Sequence, residues 1–262
     1  MGDAGRGSAG RARGTPPKAV LFDIGGTLLE FVPEVSTAGQ RLLAAGCRRA
    51  YDWLCERGKP VPDFEEFARR HWRALGWGRL RRRLTGRELQ AQRVLLRTLA
   101  GMGVEVRPEE IYDLTDCYYR PFGDKLVPVA GARECLRKLS GMGLRLATVS
   151  NTAWPGYLIE DDMARYGLTE HLEFCLFSSY FGRPKPARSI FRQALKMLHV
   201  SAPQALFVGD SLRHDIRGAG RAGMRTVLVT RGPVDRSRAD WTISELAELV
   251  PIVEQELCGT EE

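Results

Sequence analysis

The chain has 262 residues, 44% of them hydrophobic and 27% charged, a balance that provides enough apolar side chains for a sizeable core. No run reaches the roughly 18 to 20 apolar residues that a membrane span needs, and Met1 to Lys18 lacks the apolar stretch of a secretory signal. The net charge is +7, and its excess lies in the N-terminal leader and the first half of the chain, which suits an anionic partner.

The leader, residues 1–17, is rich in Gly, Ala and Arg and reads as disordered. The apolar run Ala19-Val20-Leu21-Phe22 then ends at Asp23 and is followed by Gly25-Gly26-Thr27, the pattern of a buried parallel strand running into a tight loop. Residues 33–125 change character. Amphipathic helices are predicted near 36–57, 63–75, 86–101 and 108–119, without a strand between them. Thr85-x-x-Glu88 matches a capping box for the third helix, and Pro108 suits the first turn of the fourth. Pro33 and the stretch from Pro121 to Pro128 read as the crossings into and out of this helical lobe.

Strands return at 144–149, 174–177, 205–208 and 226–229, separated by helices predicted at 131–141, 155–166, 187–198 and 212–222. Such alternation predicts an α/β fold, a doubly wound and mostly parallel sheet, with an all-helical domain inserted after the first strand. The boundaries read as a core of 18–32 and 126–262 and an inserted lobe of 33–125.

Four polar clusters follow these strands: Asp23 with Thr27, Ser150-Asn151, Lys185 within Arg183-Pro184-Lys185-Pro186, and Asp210 with Asp215 in Gly209-Asp210-Ser211-Leu212-Arg213-His214-Asp215. The carboxyl ends of parallel strands lie side by side, so these groups are expected to converge. Together they offer oxygens for a cation such as Mg²⁺, donors for a phosphoryl group, one ammonium, and a carboxylate that can act as a nucleophile.

In order and spacing, Phe22-Asp23-Ile24-Gly25-Gly26-Thr27-Leu28, Ser150-Asn151, Lys185-Pro186 and Val208-Gly209-Asp210-Ser211 through Asp215 to Met224 resemble the haloacid dehalogenase-like hydrolase superfamily over roughly residues 18 to 250. The resemblance implies a Rossmann-like core, a C1-type helical cap that would close over it, and Mg²⁺-dependent phosphatase chemistry on a small anionic phosphorylated substrate. It implies Asp23 as nucleophile and metal ligand, with Thr27 fixing its loop. Ser150 and Asn151 would hold the phosphate, Lys185 would offset charge, and Asp210 and Asp215 would serve the metal with the backbone carbonyl of Gly25.

One position departs from the pattern. Phosphatases of this superfamily usually carry a second Asp two residues after the nucleophile, as general acid and then base, and here that residue is Gly25. Two alternatives therefore stand beside the phosphatase: a non-catalytic phosphate-binding protein, and a metal-independent 2-haloacid dehalogenase. His71 is a candidate substitute acid and Lys59 a candidate Schiff-base lysine.

The remaining features read structurally. Trp72 is expected in a core, and Trp154 either walls the pocket or stops a strand. The basic run Arg79-Leu80-Arg81-Arg82-Arg83 reads as a solvated face, with a substrate-anion clamp as the alternative, and it lacks the interleaved aromatics of a nucleic-acid groove. Six scattered cysteines suit a reducing cytoplasm and are expected as small buried hydrophobes.

Overall fold

The computed structural model describes residues 15–33, 39–232 and 238–258. Most of the leader expected at 1–17 lies outside the described residues. The chain divides into two compact units, one formed by the described residues of Met1–Glu30, Pro128–Asn151 and Met163–Glu262, the other by those of Phe31–Val127 and Thr152–Asp162.

The first unit is built on a six-stranded, all-parallel sheet ordered β5-β4-β1-β6-β7-β8. Its strands are β1 (Ala19–Phe22), β4 (Arg145–Ser150), β5 (Phe174–Phe177), β6 (Ala205–Gly209), β7 (Arg225–Val229) and β8 (Trp241–Ile243). All residues of β1 and β6 are buried, because helices cover both faces of a parallel sheet and leave no polar side to the strand. The register places Phe22 opposite Thr148 on β4 and Val208 on β6, so Asp23, Ser150 and Asp210 end three neighbouring strands at nearly one level. Strand β8 was not predicted. It is only three residues long, two of them half-buried, so no apolar run marks it.

Helices α5 (Ala132–Gly141), α8 (Arg188–Met197), α9 (Arg217–Ala222) and α10 (Leu249–Cys258) accompany the sheet, with the single turn α7 (Ser178–Phe181) after β5. On α8 the residues Ile190, Phe191, Ala194 and Leu195 recur on one face, and they pack with Leu21, Ala147, Val149 and Phe207 of the sheet. The Phe191 and Phe207 rings meet edge to face at 5.0 Å. A second, two-stranded sheet pairs β2 (Leu29–Phe31) with β3 (Leu126–Pro128), at the segments where the chain passes from one unit to the other.

The second unit is helical: α1 (Gly39–Glu56), α2 (Phe64–Thr85), α3 (Ala91–Ala100) and α4 (Ile111–Gly123), joined by the residues of 152–162 that open α6 (Gly156–Arg165). Helix α2 runs ten residues beyond its predicted end and carries the basic run on its exposed last turns, where Arg82 pairs with Glu88. The predicted capping box at Thr85 does not form. Thr85 closes α2, its hydroxyl donating to the Arg81 carbonyl, and Gly86 ends the helix at φ +63°, a left-handed position that disfavours side chains. Pro121 lies inside α4 rather than in a connection. Pro108 opens a 3₁₀ turn directly before α4.

Other local expectations need correction. Trp72 is 36% exposed, while its neighbour His71 is the buried one. Trp154 belongs to the helical unit, where its ring meets Tyr118, Tyr119 and Phe122 at 4.9–5.3 Å. Of the cysteines, Cys47 and Cys135 are buried, Cys117 and Cys175 half-buried, and Cys55 and Cys258 exposed; all six are free.

Candidate active site

Asp23 and Asp210 follow β1 and β6 directly and Ser150 ends β4, whereas Lys185 lies beyond the turn α7 that follows β5. Asp23 follows β1 directly, its backbone N–H donating to the Val208 carbonyl of β6 at 2.9 Å. The loop then folds back, with the N–H groups of Leu28 and Leu29 both donating to the Ile24 carbonyl. Burial varies along it: Asp23 is half-buried, Ile24 is 4% exposed, and Gly25 and Gly26 are open to solvent. Gly26 must be glycine, because its φ is +77° and a Cβ there would lie 2.3 Å from Asp210 Oδ2.

Asp23 Oδ1 accepts from the Ile24 N–H at 2.7 Å and lies 2.8 Å from Lys185 Nζ. Both contacts fall on one oxygen. Oδ2 therefore has no hydrogen-bond partner among the described residues, as an attacking atom requires. Lys185 is 2% exposed, and its ammonium also lies 2.6 Å from Asp215 Oδ1. Burial alone would lower the pKa of that lysine, but the charges on Asp23 and Asp215 outweigh it and raise the value.

Asp215 is fully buried in a π-helical turn, Leu212–Ile216, that Ser211 caps. Its Oδ2 accepts from the Ser211 N–H at 3.0 Å, which leaves Oδ1 to Lys185. Burial pushes its carboxyl up to about 6, against the pull of Lys185. Gly209 permits this packing, since a Cβ there would lie 2.6 Å from the Asp215 carboxyl carbon. Asp210 follows β6 and is exposed, and its pKa also rises, from loss of water first and from the charge on Asp23 second.

The structure brings Asp23, Lys185, Asp210 and Asp215 together, and three other predicted residues are placed as follows. The Asn151 side chain is engaged with the backbone of Lys185, accepting from its N–H at 2.7 Å and donating to its carbonyl at 2.9 Å. Thr27 is fully buried, but its hydroxyl makes no hydrogen bond among the described residues; its backbone N–H donates to the Ile24 carbonyl. Ser150, 6% exposed at the end of β4, likewise keeps a hydroxyl not engaged by any described residue.

Asp23, Asp210 and Asp215 each present one oxygen, all within 4.8 Å of one another. Three carboxylates against one ammonium leave a net charge of about −2 at a partly buried rim, which a divalent cation would neutralise. The donor set, all hard oxygens, fits Mg²⁺.

Two candidates from the helical lobe do not serve. Lys59 Nζ is tied to Glu110 Oε2 at 2.8 Å and to the Glu105 carbonyl, and Arg107 with Lys59 holds Glu110 down at about 2. His71 is fully buried, with Nε2 2.8 Å from the Tyr118 hydroxyl, so it does not meet solvent or a solvent-borne substrate.

Residues 17–223 match the haloacid dehalogenase-like hydrolase family. The chain belongs to that family. It is 30% identical over 253 residues to the ribulose-1,5-bisphosphate 5-phosphatase of Halopiger xanaduensis, covering 90% of this chain and 98% of that protein. It is 28% identical over 246 residues to a phosphoglycolate phosphatase of Pseudomonas savastanoi, covering 91% of this chain and 80% of that one. Among solved structures, a 2-haloacid dehalogenase of Pseudomonas syringae superposes with a TM-score of 0.60 at 25% identity, covering 91% and 98% of the two chains. The parallel sheet with its inserted helical unit is thus that of a haloacid dehalogenase-like hydrolase, and the family's phosphatases are among its relatives.

Proposed function

We propose that this hydrolase is an Mg²⁺-dependent phosphomonoesterase acting on a small phosphorylated metabolite through an aspartyl-phosphate on Asp23. The observation that carries the reading is the shared contact of Asp23 and Asp215 with the buried Lys185 ammonium, beside Asp210. Relatives named as phosphatases of ribulose-1,5-bisphosphate and phosphoglycolate support a small anionic substrate.

The chain's own residues divide the work. Asp23 Oδ2 attacks phosphorus while Oδ1 stays anchored by Ile24 N–H and Lys185. Lys185 offsets the charge that nucleophile and phosphoryl group share. Asn151 acts through Lys185, holding its backbone from both sides. Ser150 donates its unengaged hydroxyl to a phosphoryl oxygen. Asp23, Asp210 and Asp215 would hold Mg²⁺, with the Gly25 carbonyl completing the set. When bound, the ion supplies charge neutralisation of the phosphoryl oxygens. The free thiols fit a cytoplasmic location.

A dehalogenase reading draws on the structural likeness and on Gly25. It meets an electrostatic objection: 2-halo acids are anions, and without a cation the excess of carboxylates repels them. The purified chain with Mg²⁺ should release phosphate from an activated aryl phosphate, and Asp23→Asn should lower that rate by about 10³-fold or more. Full activity in that variant would overturn the nucleophile assignment. Chloride release from a 2-chloro acid in excess EDTA would establish the dehalogenase instead.

A further inference from the structure

Resting on the phosphatase reading, we propose that this site is built for phosphoryl donors whose leaving oxygen departs as a stabilised anion, such as acyl phosphates and phosphoenols, rather than for ordinary alkyl phosphates.

Gly25 stands two residues after Asp23 and is exposed, whereas Ile24 between them is buried. A Cβ built at Gly25 meets nothing within 4 Å. The backbone of this loop therefore leaves room for an acidic side chain two residues from the nucleophile, and the sequence puts a hydrogen atom there.

None of the other residues placed at this rim above fills the role, and the neighbouring His214 has its Nδ1 3.2 Å from Ser211 Oγ. Lys185 lies 2.8 and 2.6 Å from two carboxylates, and giving up its proton would strip both of their counter-charge. Asp210 and Asp215 are needed as carboxylates for the cation. Ser150 and Thr27 offer hydroxyls, which are far too weak as acids, and the Asn151 amide is held by Lys185.

The consequence for chemistry is direct. In the first step Asp23 Oδ2 forms a bond to phosphorus, and the bond from phosphorus to the leaving oxygen breaks. The leaving group takes the electron pair and departs without a proton from the protein. An alkoxide leaves poorly on those terms, whereas a carboxylate or an enolate leaves well. In the second step water attacks phosphorus, the Asp23 carboxylate is released, and the water's proton passes to solvent or to the departing phosphate. An absent acid in the first step is an absent base in the second, so hydrolysis of the phosphoenzyme also slows. With a good leaving group the second step then limits the rate.

The test uses the full chain with saturating Mg²⁺ on acetyl phosphate, 4-nitrophenyl phosphate, phenyl phosphate and glycerol 3-phosphate. Acetyl phosphate should exceed glycerol 3-phosphate in kcat/KM by at least about 10²-fold, the lower range of what a general acid supplies. 4-Nitrophenyl phosphate should give a burst of nitrophenolate approaching one per protein molecule, and peptide mass analysis should find the phosphoryl group on Asp23. Gly25→Asp should raise the glycerol 3-phosphate rate at least about tenfold and remove the burst. Equal rates across the series, or an unchanged series in Gly25→Asp, would overturn the inference while leaving the phosphatase reading intact. No phosphate release from any of the four would overturn both.

Discussion

A methyl group at Gly26 would stand 2.3 Å from Asp210 Oδ2 and would have to adopt φ of +77°, so one substitution disturbs both the loop and the carboxylate. Gly26→Ala should destabilise the fold by about 1–2 kcal/mol from the left-handed backbone. It should also weaken Mg²⁺ binding at least about tenfold in isothermal titration calorimetry, because Asp210 has to move. Unchanged affinity in that variant would remove Asp210 from the ligand set. Lys185 is the second sensitive residue. Lys185→Met leaves Asp23 and Asp215 buried or half-buried without a counter-charge, a loss on the order of 3–5 kcal/mol. The sign of its pH dependence follows from Asp215. Its folded pKa of about 6 exceeds the ordinary 3.8, so the folded chain binds this proton more tightly than the unfolded one. Its burial therefore destabilises at neutral pH, and that penalty fades as pH falls through about 6 towards 3.8. Denaturant unfolding in EDTA should show the Lys185→Met deficit shrinking over that window; a deficit that grows on acidification would contradict the pairing.

At the scale of one helix, α2 carries the clearest pH dependence outside the site. Its buried residues Phe67, Ala68, His71 and Leu75 lie on one face, and His71 stacks near Phe67 and meets the edge of Tyr118. Burial drives the imidazole pKa from 6.5 down to about 4, and Nδ1 has no hydrogen-bond partner among the described residues. A depressed histidine contributes stability that is fully present above about 6.5 and is lost as pH falls through about 4. The full difference is roughly 3 kcal/mol. Thermal unfolding of the helical unit should weaken across that range, and His71→Phe should flatten the dependence. A wild-type transition independent of pH between those values would show that His71 is not held neutral. The same helix shows where local pattern misleads. Thr85 and Glu88 have the spacing of a cap, but α2 keeps its hydrogen bonds to Thr85, and the left-handed Gly86 sets the end.

Across the whole molecule, every residue proposed to meet the cation belongs to the first unit, drawn from segments as distant as Asp23 and Asp215. Binding to the native state alone stabilises it by about 2.7 kcal/mol at a hundredfold excess over Kd. Added Mg²⁺ should therefore slow amide hydrogen exchange in 23–29, 150–151 and 209–216 and leave α2 and α3 unaffected. Protection centred on the helical unit would relocate the site. Much of this was legible in the chain, because short apolar runs closed by Asp, Ser or Gly mark buried strands, and parallel strands necessarily bring their ends together. From that logic follow the α/β class, the inserted helices, and the placing of Asp23, Ser150 and Asp210 at neighbouring strand ends. Local pattern could not give what depends on atoms far apart in sequence. It missed β8, whose three residues pair with β7 without forming an apolar run, and it misjudged which of His71 and Trp72 is buried. It also could not see that Asn151 grips Lys185 across 34 residues, that Lys59 is neutralised by Glu110, or that both contacts to Asp23 fall on one oxygen. Hydrophobic period and turn chemistry act over a few residues and are written in sequence order, whereas the direction of a carboxylate oxygen is set by whichever donors the packed chain brings within about 3 Å.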